Sequence, residues 1–324
     1  MTHSREFALA LAILAVAVIM AFGAPGFFRP ENQRDLLMAN MPVAIIALGM
    51  TLVILTGQID ISVGSQFALL SVAAGVLAKS GLPTPAAAFA TCLAGALLGA
   101  LNGALVAYAR IPSIVVTLAT MVALRDGLRW ATQGAWVEDL PPGFQWFGRS
   151  QAASEALTLG AVVILAAAFA WGLRYLAAGR ALYAAGSNPE AARLAGIDPT
   201  RVVFASFAIT GALTGLAAMC NAVRFNQIPS NAGLGLELQV IAAVIVGGVA
   251  VTGGQGSLAG ALLGVMLLGM IGPALTFLGI SAYWERAIQG AIILAAVALD
   301  RGKTGRRAAG PAASDALENH AQRA

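Results

Sequence analysis

Apolar stretches of about twenty residues recur along almost the whole chain, and no other feature restricts the fold as much. Ten can be drawn: 7–24, 38–56, 61–79, 86–109, 112–131, 154–173, 202–222, 237–252, 257–278 and 282–299. A chain inside lipid must pair every backbone N–H and C=O with itself, so helices are the expected element. The expectation is an all-α polytopic membrane protein of about ten transmembrane helices. Composition agrees. Hydrophobic residues make up 59% of the 324 and charged ones 10%, against about 25% charged in a soluble domain. So few charges cannot cover a soluble globule of this size, and the mean hydropathy is +0.81. The transmembrane domain is expected over 1–302, with a disordered cytoplasmic tail over 303–324. The first stretch is read as an uncleaved span, because further spans follow it.

Sidedness comes from the basic residues. With the N-terminus inside, eleven Lys and Arg fall inside and eight outside. The inside charges gather in 174–201 and 301–307, flush with span ends, where the bias counts most. Both termini and the 174–201 block are therefore expected in the cytoplasm. The longest outside segment, 132–153, carries Trp136, Phe144, Trp146 and Phe147, which suit an aromatic belt at the headgroups.

Between the sixth and seventh spans stands one polar block, Gly186-Ser187-Asn188-Pro189-Glu190-Ala191-Ala192-Arg193-Leu194-Ala195-Gly196. Asn188 suits an N-cap, Pro189 the first helical position, and Glu190 a first turn that favours an anion. Gly196 supplies a left-handed stop after about two turns. Asp198-Pro199 then restarts a helix in the same way. A capped helix too short to span, on the cytoplasmic side, is built to be touched from outside the membrane.

Gly57-Gln58-Ile59-Asp60-Ile61-Ser62-Val63-Gly64-Ser65 interrupts the apolar region between the second and third spans. An aspartate at membrane depth costs about 2.5–3.5 kcal/mol and normally faces a bundle interior or water. Two readings stand. In one, the helix breaks here beside a permeation path. In the other, which topology favours, Gln58, Asp60, Ser62 and Gly64 form a cytoplasmic turn or shallow re-entrant loop, with Asp60 capping the third span. Further polar groups at membrane depth are Asn102, Asn221, Arg224, Glu237 and Gln239. Taken singly, each is a candidate for an interhelical hydrogen bond. The 221–239 cluster lies near the outer ends of spans seven and eight, where a polyhydroxylated solute would enter.

Gly95, Gly99 and Gly103 recur every four residues in the fourth span, and Gly256, Gly260 and Gly264 do so in the ninth. Each set predicts a flattened helix face against which another backbone can pack. Fourth and ninth are equivalent positions in two five-span halves, which suggests an inverted repeat. A second echo, Gly57-Gln58 against Gly254-Gln255, has a different offset.

Enzyme chemistry finds no support. His3 and His320 lie in polar ends, and no nucleophile–base arrangement or metal-ligand cluster is present. Gly302-Lys303-Thr304 resembles the end of a phosphate loop, but Val297 stands where its first glycine belongs. Gly254-Gln255-Gly256 sits between two spans, without a ribose-binding acid downstream. Cys92 and Cys220 lie in apolar runs and read as small hydrophobes. No cofactor is expected on this chain, and nothing suggests nucleic acid.

Three motifs in order carry a family resemblance: Gly57-Gln58-Ile59-Asp60-Ile61-Ser62-Val63-Gly64, Gly186 to Ile197, and Val246-Gly247-Gly248 to Gly260. Together they resemble the ribose-type permeases of bacterial ABC sugar importers, over about residues 7–302. Gln58 and Ile61 depart from the usual Gly-Gly-Ile-Asp-Leu-Ser pattern. Trp136 to Pro142 and Ile280 to Glu285 look closer to the permeases for rhamnose and for autoinducer-2. The resemblance implies a bacterial inner-membrane permease with no activity of its own. It implies a cytoplasmic ATPase with fused nucleotide domains that binds ATP-Mg, a periplasmic sugar-binding protein, and a second permease copy or a sibling. It makes 177–201 the coupling segment, with Gly186, Asn188, Glu190, Ala191, Arg193 and Gly196 contacting the ATPase. The rival class is a secondary transporter driven by an ion gradient, with Asp60 as its ion site.

Overall fold

The computed structural model describes residues 2–281, 283–285, 287–292 and 294. The expected tail 303–324, the Gly302-Lys303-Thr304 stretch and eight of the eighteen residues of the tenth expected span, 282–299, lie outside the described residues.

Eleven α-helices have both ends among the described residues: α1 Thr2–Gly23, α2 Pro30–Leu55, α3 Val63–Lys79, α4 Thr84–Ala107, α5 Ser113–Thr132, α6 Gln151–Tyr175, α7 Ala177–Ser187, α8 Pro189–Leu194, α9 Pro199–Ala222, α10 Leu236–Val246 and α11 Leu258–Phe277. The described residues from 284 to 294 are helical as well. Among the described residues the only extended pairing is one antiparallel bridge, Val137 with Ile228. The protein is thus all-helical. Six helices are long and apolar enough to cross a membrane: α1 from Arg5 onward, α2, α4, α6, α9 and α11. The other expected spans fall short for separate reasons. α3 and α10 are apolar but short, and α5 carries Arg125, Asp126 and Arg129.

α2 forms the centre. It is apolar on every face, and an unbroken run from Ile45 to Leu55 is buried, as a helix enclosed by others requires. α9, α10 and α11 pack against it, and α9 also meets α3 and α4. α6 and α1 lie at the periphery; only 6% and 11% of their apolar windows are buried, which leaves those faces for lipid. α4 and α9 touch backbone to backbone. A β-carbon on Gly95 or Gly99 would overlap the carbonyl oxygen of Gly211 or Phe207.

The second glycine set departs from expectation. Gly260 and Gly264 lie on α11 and meet the carbonyls of Gly247, just past α10, and of Ala243 within it. Gly256 precedes α11, with φ +145°. It belongs to a loop, not to the helix face predicted for it. The two ladders also meet different kinds of partner: α4 packs on the distant α9, whereas α11 packs on its own sequence neighbour.

The eighth expected span, 237–252, is a half-length helix. α10 stops at Val246, and residues 247–257 turn irregularly with positive φ at Gly248, Gly253, Gly254 and Gly256. Those four glycines end the helix because no β-carbon resists the left-handed region. The expected aromatic belt is also only partial. Trp136 is half exposed, but Phe144 is 1% exposed and lies in a core with Ala68, Val72 and Ile228. The apolar faces of α3 and α9 offer that ring more contact than a headgroup layer would.

Candidate functional site

Two polar regions lie at different heights in the bundle. The first is the end that holds α7 and α8. The Asn188 side chain accepts hydrogen bonds from the amides of Glu190 (3.1 Å) and Ala191 (3.0 Å), capping α8. Asp198 does the same for α9 through Thr200 N (3.0 Å) and Arg201 N (3.4 Å). Gly196 between them has φ +80°. Glu190, Ala191 and Arg193 are exposed, and Leu194 is 92% exposed.

Gly186 is not part of this exposed turn. It sits in the last turn of α7, a helix that the sequence reading did not separate from the block. A β-carbon there would collide with the Leu55 carbonyl oxygen and lie 2.7 Å from Gly254 N. Gly254 N itself donates to Leu55 O at 2.8 Å. Three chain segments therefore meet as bare backbone: the end of α7, the end of α2 and the 247–257 loop. The same loop is held from other sides. Tyr183 of α7 donates its hydroxyl to Gly256 O (3.0 Å), and burial pushes the Tyr183 phenol up. Ser257 donates to Glu6, and Arg5 donates to Gly248 O (3.4 Å).

From this junction the chain enters the second region. Gly57, with φ +76°, turns the backbone out of α2. Residues 58–62 then run inward to the start of α3. Gln58 is partly buried, whereas Asp60 and Ser62 are fully buried. The Ser62 hydroxyl is a hub. It donates to Asp60 Oδ1 (2.5 Å) and accepts from Gln66 Nε2 (2.7 Å) and Asn102 Nδ2 (2.9 Å). Thr120 of α5 donates to Asn102 Oδ1 (2.7 Å). Asp60 Oδ1 also accepts the Ser62 amide (2.9 Å), while Oδ2 is buried without a hydrogen bond. The cap expected from Asp60 is not formed, because Ser62 holds the N-cap position of α3 and no side-chain cap hydrogen bond is made there.

Gly64 belongs neither to a helix break nor to the turn expected there. It lies inside the first turn of α3. Its bare α-carbon receives the Glu237 carboxylate, which a β-carbon would displace. Glu237 is 6% exposed and faces Arg125 of α5, with Arg125 Nη2 3.6 Å from Oε2. Beyond this pair lies a cavity of about 320 Å³, lined among others by Arg125, Arg129, Trp136, Ser230 and Asn231.

The polar residues singled out from sequence thus fall into separate groups. Asn102 belongs with Asp60 and Ser62. Glu237 belongs with Arg125. Arg224 donates to Met38 O (2.6 Å) of α2, away from both. Asn221 and Gln239 are partly buried. Gln66, Thr120 and the pairing of Arg125 with Glu237 went unread. The i,i+4 spacing of Arg125 and Arg129 on a helix with one further charge, Asp126, was the available signal.

Comparison with known proteins follows the same direction. A family described as "Branched-chain amino acid transport system / permease component" matches residues 33–297. The chain is 34% identical over 298 residues to the autoinducer 2 import system permease protein LsrC of Escherichia coli O157:H7, covering 92% of this chain and 87% of that one. The protein of that name from Enterobacter sp. (strain 638) is 35% identical over 303 residues, with the same two coverages. That from Salmonella typhi is 33% identical over 302 residues, covering 92% and 86%. No solved structure matches the chain.

Proposed function

Since the chain belongs to the branched-chain amino acid transport system / permease component family, we propose that it is the transmembrane permease subunit of an ATP-binding-cassette importer for a monosaccharide. The solute is of the rhamnose or autoinducer-2 kind. The likeness to three autoinducer 2 import permeases over 92% of the chain supports that class. In this reading the protein lies in the bacterial inner membrane with about ten spans and both termini in the cytoplasm. A periplasmic binding protein delivers the sugar, and a second permease copy or a sibling completes the pore. A cytoplasmic ATPase, with fused nucleotide domains, holds ATP-Mg. The permease itself carries no reaction.

The observation that carries the reading is the mounting of α8. An exposed, capped two-turn helix stands on a junction where Gly186, Leu55 and Gly254 meet without side chains between them. A push on α8 reaches the end of α2 and the 247–257 loop through backbone rather than through pliable side chains. The Asp60 segment starts from the first of those places, and α10 ends at the second. Closure of the ATPases would move α8, and the bundle would rock between outward and inward access. Glu190 and Arg193, three apart and both exposed, supply the charged contacts.

The test is uptake in proteoliposomes. The complex with its ATPase and binding protein should accumulate labelled sugar only with MgATP. Uptake by this chain alone, driven by a proton or sodium gradient, would instead establish a secondary transporter.

A further inference from the structure

The Arg125–Glu237 pair is an unfinished contact. Its 3.6 Å separation exceeds hydrogen-bond range, which ends near 3.2 Å for N–H···O. Both facing atoms, Arg125 Nη2 and Glu237 Oε2, are buried without a hydrogen-bond partner. Buried charges left in this state are costly, so they are normally completed by something else. Glu237 has little freedom to relax, because its carboxylate rests on Gly64 and beside Gly233 O. Gly233 and Gly235, with φ +72° and +83°, fold the chain tightly before α10.

Arg125 also lines the cavity of about 320 Å³, together with Arg129, Trp136, Ser230 and Asn231. This volume is at the small end of ligand sites, about 300–1,000 Å³, and suits one sugar ring. Its chemistry is mixed in the same sense. Trp136, 48% exposed, offers an aromatic plane to a C–H face, and Ser230 and Asn231 offer hydroxyl and amide groups. A hydroxyl in the cavity can accept from the Arg125 guanidinium, while the Glu237 carboxylate behind that wall offsets its charge and holds it in place. Five residues along α5, about 8 Å of helix rise, comes Thr120, where the Asn102–Ser62–Asp60 network begins.

We propose that the cavity lined by Arg125, with Glu237 standing behind it, is a sugar-contact site within the permease, selective for a neutral polyhydroxylated ring. It rests on the sugar-importer reading above. Arg125 donates a hydrogen bond to a ring hydroxyl while Glu237 offsets its charge from behind, so the pair reads hydroxyls and not net charge. From there the solute passes to the Thr120–Asn102–Ser62 line.

The site is tested by protection from labelling. Asn231→Cys is introduced into the full chain, with Cys92→Ala and Cys220→Ala, and reconstituted with its ATPase. A membrane-impermeant maleimide is applied with L-rhamnose, D-ribose or autoinducer-2, and with gluconate as the anionic comparison. At least one neutral sugar should slow labelling threefold or more. Glu237→Gln and Arg125→Gln should raise the half-protecting concentration at least tenfold, whereas Arg125→Lys should keep it within threefold. Absence of protection by every neutral sugar in the parent chain overturns the proposal, even if the variants fail to fold. So does protection that is unaltered by Glu237→Gln, or that is stronger with gluconate. MgATP-dependent uptake, measured on the same vesicles, separates the two claims. Protection without such uptake counts against the importer reading alone.

Discussion

The α-carbon of Gly186 lies so close to the carbonyl oxygen of Leu55 that no β-carbon fits between them. This contact joins the helix before the exposed α8 turn to the central helix of the bundle. The joint is stiff because it contains no side chain.

Gly186→Ala should therefore be costly. Overpacking of a tight contact typically loses about 1–3 kcal/mol, and here the obstruction is backbone. Thermal unfolding in detergent should drop by several degrees. Gly127→Ala is the control, since a β-carbon there meets nothing within 4 Å. It should leave stability unchanged or slightly raised. Equal effects from the two variants would show that the Gly186 joint is not tight.

Ser62→Ala should be more damaging than its size suggests. The hydroxyl serves Asp60, Gln66 and Asn102 together. Its removal leaves buried partners unsatisfied, at about 1–3 kcal/mol for each group. Denaturant unfolding should show a loss of at least about 2 kcal/mol. A loss under about 0.5 kcal/mol, the usual range for surface changes, would mean that the network carries little.

The α4–α9 contact predicts a graded series. Gly99 faces the Phe207 carbonyl and Gly95 the Gly211 carbonyl, each at backbone contact. Alanine at either site should push the helices apart and lose about 1–3 kcal/mol. The double variant should lose less than the sum, because one displacement relieves both. Full additivity would argue that the two sites yield independently.

Asn188→Ala should act locally. Loss of an N-cap costs about 1 kcal/mol, and it falls on a six-residue helix. Amide exchange at Glu190 and Ala191 should speed up while the α2 core stays protected. Unchanged exchange at both amides would show that the cap is redundant.

The parts of this architecture that rest on local chemistry were legible in the sequence. α8 could be drawn because Asn188, Pro189 and Gly196 signal their roles within a few residues. The long spans could be drawn because lipid demands apolar length. α7 escaped because its N-cap position is Leu176, which makes no side-chain cap hydrogen bond. The short reach of α10 could have been read from the glycines that follow it, but an apolar run continuing to Val251 concealed the stop. Gly64 was assigned to a break or a turn because its actual constraint, the Glu237 carboxylate, lies 173 positions away in sequence. The partners of Glu237, Arg125 and Gly64, are set by tertiary packing, and no local pattern announces them.

The central claim, that energy enters from a separate ATPase through α8, is tested most directly by ATPase stimulation and sugar uptake in the reconstituted complex. Arg193→Ala should lower both at least tenfold, while the chain still folds, because Arg193 is exposed and its side chain makes no hydrogen bond or salt bridge seen among the described residues. Stimulation and uptake both equal to those of the parent chain would contradict the account.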